Sequence, residues 1–491
     1  MSLESLAFNS LIYLALAFVI VIALLLIVAA IFYVIDVTQT QHTIRRNYPV
    51  IGRFRYWFEH LGEFFRQYFF AMDREELPFN RAERSWVYRA AKNVNRTIAF
   101  GSTRDLTTPG TVLFLNSAFP TLEEDATEAA PMVIGENCKT PYHAKSFFNI
   151  SGMSYGALSK PAVIALSKGA AKAGCWLNTG EGGLSSHHLA GNCDLVMQIG
   201  TANYGVRDSA GNLSDEKLKQ VAANEQIKMF ELKLSQGAKP GKGGILPAIK
   251  VTEEIATIRG ITQGEASISP NGHPNIKSPE DLLNVINRIR NVTGKPVGFK
   301  AVIGDARWLI QLFELIHQRG EASAPDFITI DSADGGTGAA PQPLMDYMGL
   351  TIKESLPWLV NALKQHKLKS RIKVIVSGKL ITPSRVAWAI CEGADFVVSA
   401  RGFMFALGCI QALQCNKNTC PTGVTTHNKK LQKGLVPMQK AERVANYHRY
   451  IEYEVGMIAH SCGVTDPRKL TRHHIRIVQD TGESIPVNEM N

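Results

Sequence analysis

Eight short runs rich in β-branched and aromatic residues, separated by Ala- and Leu-rich stretches, constrain this chain more than any other feature. They are Phe147 to Ile150, Cys175 to Asn178, Leu195 to Ile199, Met229 to Leu234, Val297 to Ala301, Phe327 to Asp331, Lys373 to Val376 and Phe396 to Ser399. Such runs alternating with helical stretches mark βα units on a parallel sheet. Eight units in about 300 residues predict an α/β chain closed into a (β/α)8 TIM barrel, because an open doubly wound sheet has fewer strands. Composition agrees: 491 residues with 45% apolar and 20% charged positions exclude a disordered, collagen-like or disulfide-framework chain.

Small, glycine-rich segments follow the predicted strands. They are SGMSYGA (Ser151 to Ala157), TGEGG (Thr179 to Gly183), SQGAKPGKGG (Ser235 to Gly244), DGGTGA (Asp334 to Ala339), SGK (Ser377 to Lys379) and ARG (Ala400 to Gly402). In a barrel they fall on the C-terminal face, where ligands bind, and glycine lets backbone N–H groups approach an anion or a flat ring. Any one of them is also a plain turn; six on one rim predict a large cofactor that carries a phosphate. Gly152, Thr179, Gly180, Gly335 and Gly336 are candidates to line it. The phosphate is expected at Ser377, Gly378, Ala400 and Arg401, after the last two strands, where Arg401 offers a planar fork. Neither a GxGxxG opening a βαβ unit nor a Walker A sequence occurs, so FMN is expected rather than a dinucleotide. Lys233 and Lys300, at strand ends, are the catalytic candidates: cations facing the electron-rich edge of a reduced flavin or a substrate carboxylate. The plainer reading makes them solvated rim residues.

Cys409, Cys415 and Cys420 stand at C-x5-C-x4-C, directly before Pro421. Zinc would want a fourth ligand, and His427 lies outside the usual pattern. A four-iron cubane would want four thiolates. Three thiolates suit a [3Fe-4S] cluster, and buried structural thiols suit the spacing equally well. Cys138, Cys175, Cys193, Cys391 and Cys462 read as core or surface thiols, and the pairs His187-His188 and His473-His474 as polar surface, since adjacent side chains point apart.

No charged residue occurs between Glu4 and Asp36, and the apolar stretch Leu11 to Ile35 exceeds the ~20 residues of a spanning helix. A signal peptide would begin with basic residues and carry a shorter apolar run; a buried soluble helix is the other reading. Arg45, Arg46, Arg53 and Arg55 follow the stretch and nothing basic precedes it. A single-pass membrane protein with a cytoplasmic catalytic domain and reduced thiols is therefore expected. Arg53 to Phe70 holds nine aromatic residues, which would lie at the lipid headgroups or pack on the soluble domain. The net charge of +10 suits an acidic leaflet. Dispersed basic residues without a helix-turn-helix, zinc-finger or RNP pattern exclude a nucleic-acid partner. The expected division is a transmembrane anchor at 1–36, a helical juxtamembrane and connecting region at 37–130, the barrel with its cysteine loop at 131–460 and a tail at 461–491.

The runs GMSYGALSK, NTGEGG, GAKPGKGG, DGGTGAAP and CIQALQCNKNTCPTGV, in this order over about residues 145–430, resemble the flavin domain of glutamate synthases. The resemblance implies a (β/α)8 barrel holding FMN, with Cys409, Cys415 and Cys420 ligating a [3Fe-4S] cluster. It further implies that electrons enter through the cluster and that a hydride passes from FMN to the imine of 2-oxoglutarate, giving glutamate. Met153 and Ser154 would lie against flavin or substrate, Lys233 and Lys300 would hold the ring edge and the keto acid, and Ser377, Gly378 and Arg401 would serve the phosphate. The implied partners are a 2-oxo acid or imine, an ammonia source or separate glutaminase, and an electron donor such as ferredoxin or a separate reductase. The glutaminase domain, β-helical domain and second dinucleotide fold of full-length relatives are not seen, so ammonia is expected from solution or another subunit. Lys242 stands where the family usually has glutamate, and AVIGDARW after Lys300 departs from the family pattern. A membrane-associated FMN/Fe–S oxidoreductase with a different substrate is the alternative, and a non-catalytic membrane scaffold is a third reading.

Overall fold

The computed structural model describes residues 3–487, so the ends of the expected anchor and tail, residues 1–2 and 488–491, lie outside the described residues. The chain divides between Pro78 and Phe79 into two compact units. The first begins with helix α1 (Leu3–Thr38), continues through a short turn of helix (Thr43–Asn47), and reaches α2 (Gly52–Phe65). The segment Ala7–Thr38 is long and apolar enough to cross a bilayer.

The second unit is built around a closed, eight-stranded parallel barrel, as expected. Its strands are β1 (Phe148–Ile150), β2 (Leu177–Asn178), β3 (Leu195–Ile199), β4 (Ile227–Lys233), β5 (Val297–Ala301), β6 (Phe327–Asp331), β7 (Lys373–Ser377) and β8 (Phe396–Ser399). Each pairs with the next, and β8 closes on β1 with Val397, Val398 and Ser399 opposite Phe148, Asn149 and Ile150. The observed boundaries differ from the sequence expectation where local bonding intervenes. β2 starts at Leu177 because the Trp176 amide donates to the Asn149 side chain (2.9 Å). β4 starts at Ile227 because that residue pairs with Leu195, ahead of a register shift.

Helix α3 (Arg81–Ala91) opens the second unit with an Asn80–Glu83 capping box, which satisfies two of its free N-terminal amides. Helix α4 (Lys160–Ala173), capped by Ser159 and ended by Gly174 in the left-handed conformation, packs against the long helix α7 (Pro437–Ser461). The approach is so close that a Cβ on Gly169 would lie 2.4 Å from Val444 Cγ1. Between β7 and α7 come β8 and the short helix α6 (Arg401–Leu407); α5 (Glu253–Arg259) follows β4. Outside the barrel, Val112–Phe114 pairs antiparallel with Ile475–Val478, tying the start of this unit to its end.

One sequence expectation is corrected here. His187 and His188 are buried rather than polar surface. They sit in a short helical turn covered on both sides: His187 packs edge-on against Tyr155 at 4.7 Å, and His188 Nδ1 lies 2.8 Å from the Ser185 hydroxyl. Adjacent side chains do point apart, but here both directions lead into protein. His473 is exposed, as expected.

A buried carboxylate, Asp326, lies at the N-terminal end of the barrel. It accepts from the Val297 amide (2.8 Å), Arg290 Nε (3.0 Å) and Arg371 Nη2 (3.0 Å). Removing one partner of a buried ionic cluster leaves charges uncompensated, which costs about 3–5 kcal/mol. Asp326→Ala should therefore lower stability by about that much, read as a drop in the urea midpoint of the detergent-solubilised chain, with Asp326→Asn falling between it and wild type.

Candidate functional site

Loops at the C-terminal ends of most strands touch one another around the mouth. Gly180, at φ +66°, brings the β2 loop so close to the β1 loop that a Cβ would lie 2.5 Å from the Ser154 amide nitrogen. Gly152 approaches Asn178 Oδ1 and Gln198 Nε2 (each 2.9 Å from its would-be Cβ), and the buried Thr179 hydroxyl accepts from the Gln198 amide (3.1 Å). A Cβ on Gly378, at φ +138°, would lie 2.2 Å from Ser332 Cβ, joining the β7 and β6 loops. Gly335 meets Gly237 of the β4 loop, and Gly336 meets the Arg401 side chain. The Ser151 amide donates to the Ser399 carbonyl (3.1 Å), joining β8 to β1. The structure thus gathers Gly152, Met153, Ser154, Thr179, Gly180, Gly335, Gly336, Ser377, Gly378, Ala400 and Arg401 at one mouth.

Lys233 and Lys300 are buried, not solvated. Lys233 Nζ pairs with Glu181 Oε1 (2.7 Å) and also donates to Gln236. Lys300 Nζ pairs with Asp331 Oδ2 (3.1 Å), which also accepts from the Gly237 amide (3.0 Å). Burial alone would lower the Lys300 pKa, but Asp331 and Glu231 outweigh it and raise it above the ordinary lysine value. Burial works to neutralise Glu181 and Asp331, and the facing lysines reverse this and hold both below the usual carboxylate range. Beneath them, Glu231 Oε1 accepts from Asn178 (2.8 Å) and Gln198 (2.7 Å), and Oε2 from the Thr329 hydroxyl (2.6 Å). Asn178, Glu231, Lys300 and Thr329 line a small cavity of about 10 Å³ inside the barrel.

Sequence reasoning passed over Glu181, Asp331, Glu231 and Lys239. Glu181 lay in plain view within TGEGG, and Asp331 ends a strand; their partners only become evident once the barrel closes. Lys239 is buried in the β4 loop, whereas Lys242, the residue singled out in that loop, is exposed. The Asp305–Arg307 pair of the other departing segment is exposed too. Lys239 and Arg401 share a second property: neither side chain has a hydrogen-bond or ion-pair partner among the described residues. Burial and the neighbouring Lys233 lower Lys239 to about 8, while Glu181 opposes them. Burial lowers Arg401 to about 10; its guanidinium carbon lies 4.6 Å from the centre of the Phe79 ring. Two sparingly solvated, unpartnered cations at a glycine-rich mouth are the donor set an anionic cofactor and an anionic substrate require, so the residues present fit FMN.

The cysteine loop leaves α6 at Gly408 and returns to the same rim. Lys250 Nζ donates to the Ala157 carbonyl of the β1 loop (2.9 Å) and to the Cys415 carbonyl (3.3 Å); His427 Nε2 lies 2.8 Å from the Gly156 carbonyl. Cys409, Cys415 and Cys420 feel one another's charge. Burial pushes the Cys409 thiol up to about 12 and also raises Cys415, whereas at Cys420 hydrogen bonds from Thr422 and Thr425 outweigh burial and lower it. Among the described residues no group of three or more His, Cys, Asp or Glu side chains converges to hold a metal ion. Three sulfurs on one loop are the donor type a thiolate-bound cluster takes, but the structure does not gather them around one point. All eight cysteines are free.

Fold and mouth together define a parallel α/β barrel whose C-terminal rim gathers glycine-rich loops and the cations Lys233, Lys239, Lys300 and Arg401. A family model described as a conserved region in glutamate synthase matches residues 105–465. The glutamate synthase large subunit-like protein YerD of Bacillus subtilis is 40% identical over 96% of this chain and 97% of its own. The archaeal glutamate synthase [NADPH] of Methanocaldococcus jannaschii is 33% identical over 67% of this chain and 61% of its own. The chain belongs to the glutamate synthase family. Among solved structures, the flavin-binding domain of baker's yeast flavocytochrome b2 is similar at a TM-score of 0.47 and 14% identity, over 83% of this chain and 81% of that one.

Lys239 yields a pH test. Its folded pKa lies below the ordinary value, so between about 8 and 10.5 the unfolded chain binds a proton that the folded chain has released, and stability rises with pH over that window. Below about 8 both states carry the proton and the slope vanishes. Urea unfolding of wild type and Lys239→Met should therefore diverge in favour of wild type as pH rises through this window, and run parallel below it.

Proposed function

We propose that this chain is an FMN- and iron–sulfur-dependent oxidoreductase of glutamate synthase type that forms glutamate from 2-oxoglutarate and ammonia. In the overall change, 2-oxoglutarate and ammonium take up two electrons and two protons, and the keto oxygen leaves as water. Arg401 with the Ser377, Gly378 and Ala400 backbone would hold the phosphate of FMN, and Gly152, Met153, Ser154, Thr179, Gly180, Gly335 and Gly336 would line the rest. Cys409, Cys415 and Cys420 would hold a [3Fe-4S] cluster. Bound there, the cluster would supply one-electron transfer and the flavin would supply hydride chemistry.

The chain's own part is binding and charge. Lys300, held protonated by Asp331 and Glu231, is suited to face a negative ring edge. Lys233 and Lys239, with Glu181 between them, are suited to the two carboxylates of the keto acid. Such positioned charges act in a crowded, water-poor mouth, where they are worth more than in bulk solvent. Ammonia would come from solution or a separate glutaminase, and electrons from a ferredoxin or a separate reductase. Helix α1 would anchor the protein in the membrane by a single pass, with residues 131–460 cytoplasmic.

The observation that carries this reading is the pair of unpartnered cations, Lys239 and Arg401, beside the two buried lysine–carboxylate pairs. Anaerobically purified protein should hold flavin and about three irons per chain. With dithionite-reduced viologen as donor it should convert 2-oxoglutarate and ammonia to glutamate. Colourless protein would count against the cofactors; loaded protein without glutamate formation would favour the different-substrate reading.

Arg401→Ala removes the guanidinium fork at the expected phosphate site. A lost charge-assisted contact of about 1.5–3 kcal/mol should weaken flavin retention roughly 10- to 100-fold, measured by flavin release on dilution, while Lys242→Glu, at an exposed position, should leave retention unchanged.

A further inference from the structure

The first unit holds a second apolar feature besides α1, and its role rests on the reading of α1 as a membrane span. Helix α2 and the turn that continues it, Arg66–Phe70, present Phe54, Trp57, Phe58, Phe65 and Tyr68. The spacing of three and four residues puts them on one helical face. All five are exposed, Trp57 at 54% and Phe58 at 61%. An apolar stripe this long needs a covering surface.

The corner joining α1 to α2 is fixed. Asp36, near the end of α1, is fully buried and accepts from Arg53 Nε (2.8 Å), Arg53 Nη2 (2.8 Å) and the Val50 amide (3.0 Å). The Arg53 guanidinium lies over the Phe32 ring at 4.0 Å, and that of Arg45 over Tyr56 at 4.7 Å. Gly52 admits no side chain, since a Cβ there would lie 2.8 Å from the Ile44 carbonyl oxygen. A two-pronged ion pair, a backbone donor and a glycine contact leave the start of α2 no hinge with respect to the end of α1. The direction of the aromatic stripe is therefore set by α1.

We infer that α2 is a second membrane element, lying in the headgroup–acyl boundary of the bilayer that α1 crosses, with Asp36 and Arg53 as the residues that position it there. The lipid surface is the occupant favoured over a protein because the stripe continues from the span through a rigid corner. It is also rich in Trp, Tyr and Phe, whose rings suit that boundary, and Arg55 and Arg66, exposed on the same segment, suit lipid phosphate. A free amphipathic helix could drift from the surface; one locked to a span cannot.

The test uses the full chain in vesicles of phosphatidylcholine and phosphatidylglycerol, some with bromine placed on the acyl chains near the headgroups. Subtracting the emission of Trp57→Phe isolates Trp57 from the other tryptophans. Shallow bromine should remove about half of the Trp57 emission, and Arg53→Gln or Asp36→Asn should each reduce that quenching, with the double variant no worse than either. A Trp57 signal untouched by bromine, in protein that resists alkaline carbonate washing, would overturn the inference while leaving the span intact. Release by carbonate would overturn both.

Discussion

Two lysine–carboxylate pairs, Lys233–Glu181 at 2.7 Å and Lys300–Asp331 at 3.1 Å, fasten the strand ends that everything else at the mouth leans on. They link the β2 loop to β4, and β5 to β6. All four groups are largely removed from water, where a lone charge would be far too costly to keep ionised. Each pair therefore depends on its geometry, and the geometry depends on the loops approaching more closely than side chains allow. Gly180 and Gly378 are the two places where that demand is strictest, because positive φ and the lack of room for a Cβ coincide.

The barrel was legible because its signal is repeated. Eight strands each carry the same pattern, so small boundary errors at β2 and β4 do not disturb the count, and the glycine-rich loops identify which end of each strand is functional. Side-chain partners were less legible. Lys233 and Lys300 stood out as cations at strand ends, yet whether they were solvated or buried turned on Glu181 and Asp331, which close on them only in three dimensions. Lys242 drew notice because it departs from a pattern; Lys239, three residues earlier, is the one the loop turns inward. His187 and His188 show the same gap: periodicity says that neighbours diverge and says nothing of what lies on either side.

The cysteine loop illustrates a tension between folding and ligation. Burial raises the Cys409 and Cys415 thiols, which favours the protonated form in the ligand-free chain, whereas a cluster needs thiolates. Cys420 is held the other way by Thr422 and Thr425. The loop is anchored through Lys250 and His427 to the β1 rim, and the cluster proposed above would require its thiols to give up protons on binding.

The balance of charge at the mouth carries the functional argument one step further. Glu181 and Asp331 neutralise Lys233 and Lys300, and Asp334 pairs with Lys379 at 2.7 Å, which leaves Lys239 and Arg401 without a counter-ion in contact. Both are held below their ordinary pKa chiefly by burial. Keeping two such cations unpaired costs stability: Lys239 sits on a loop and Arg401 lies over the Phe79 ring, and neither has a counter-ion in contact among the described residues. A site with an excess of positive charge over its own carboxylates is one whose electrostatics are completed by an anionic ligand. In the function proposed above, a phosphate near Arg401 and a dicarboxylate near Lys239 would each supply a counter-charge that the chain itself does not place there.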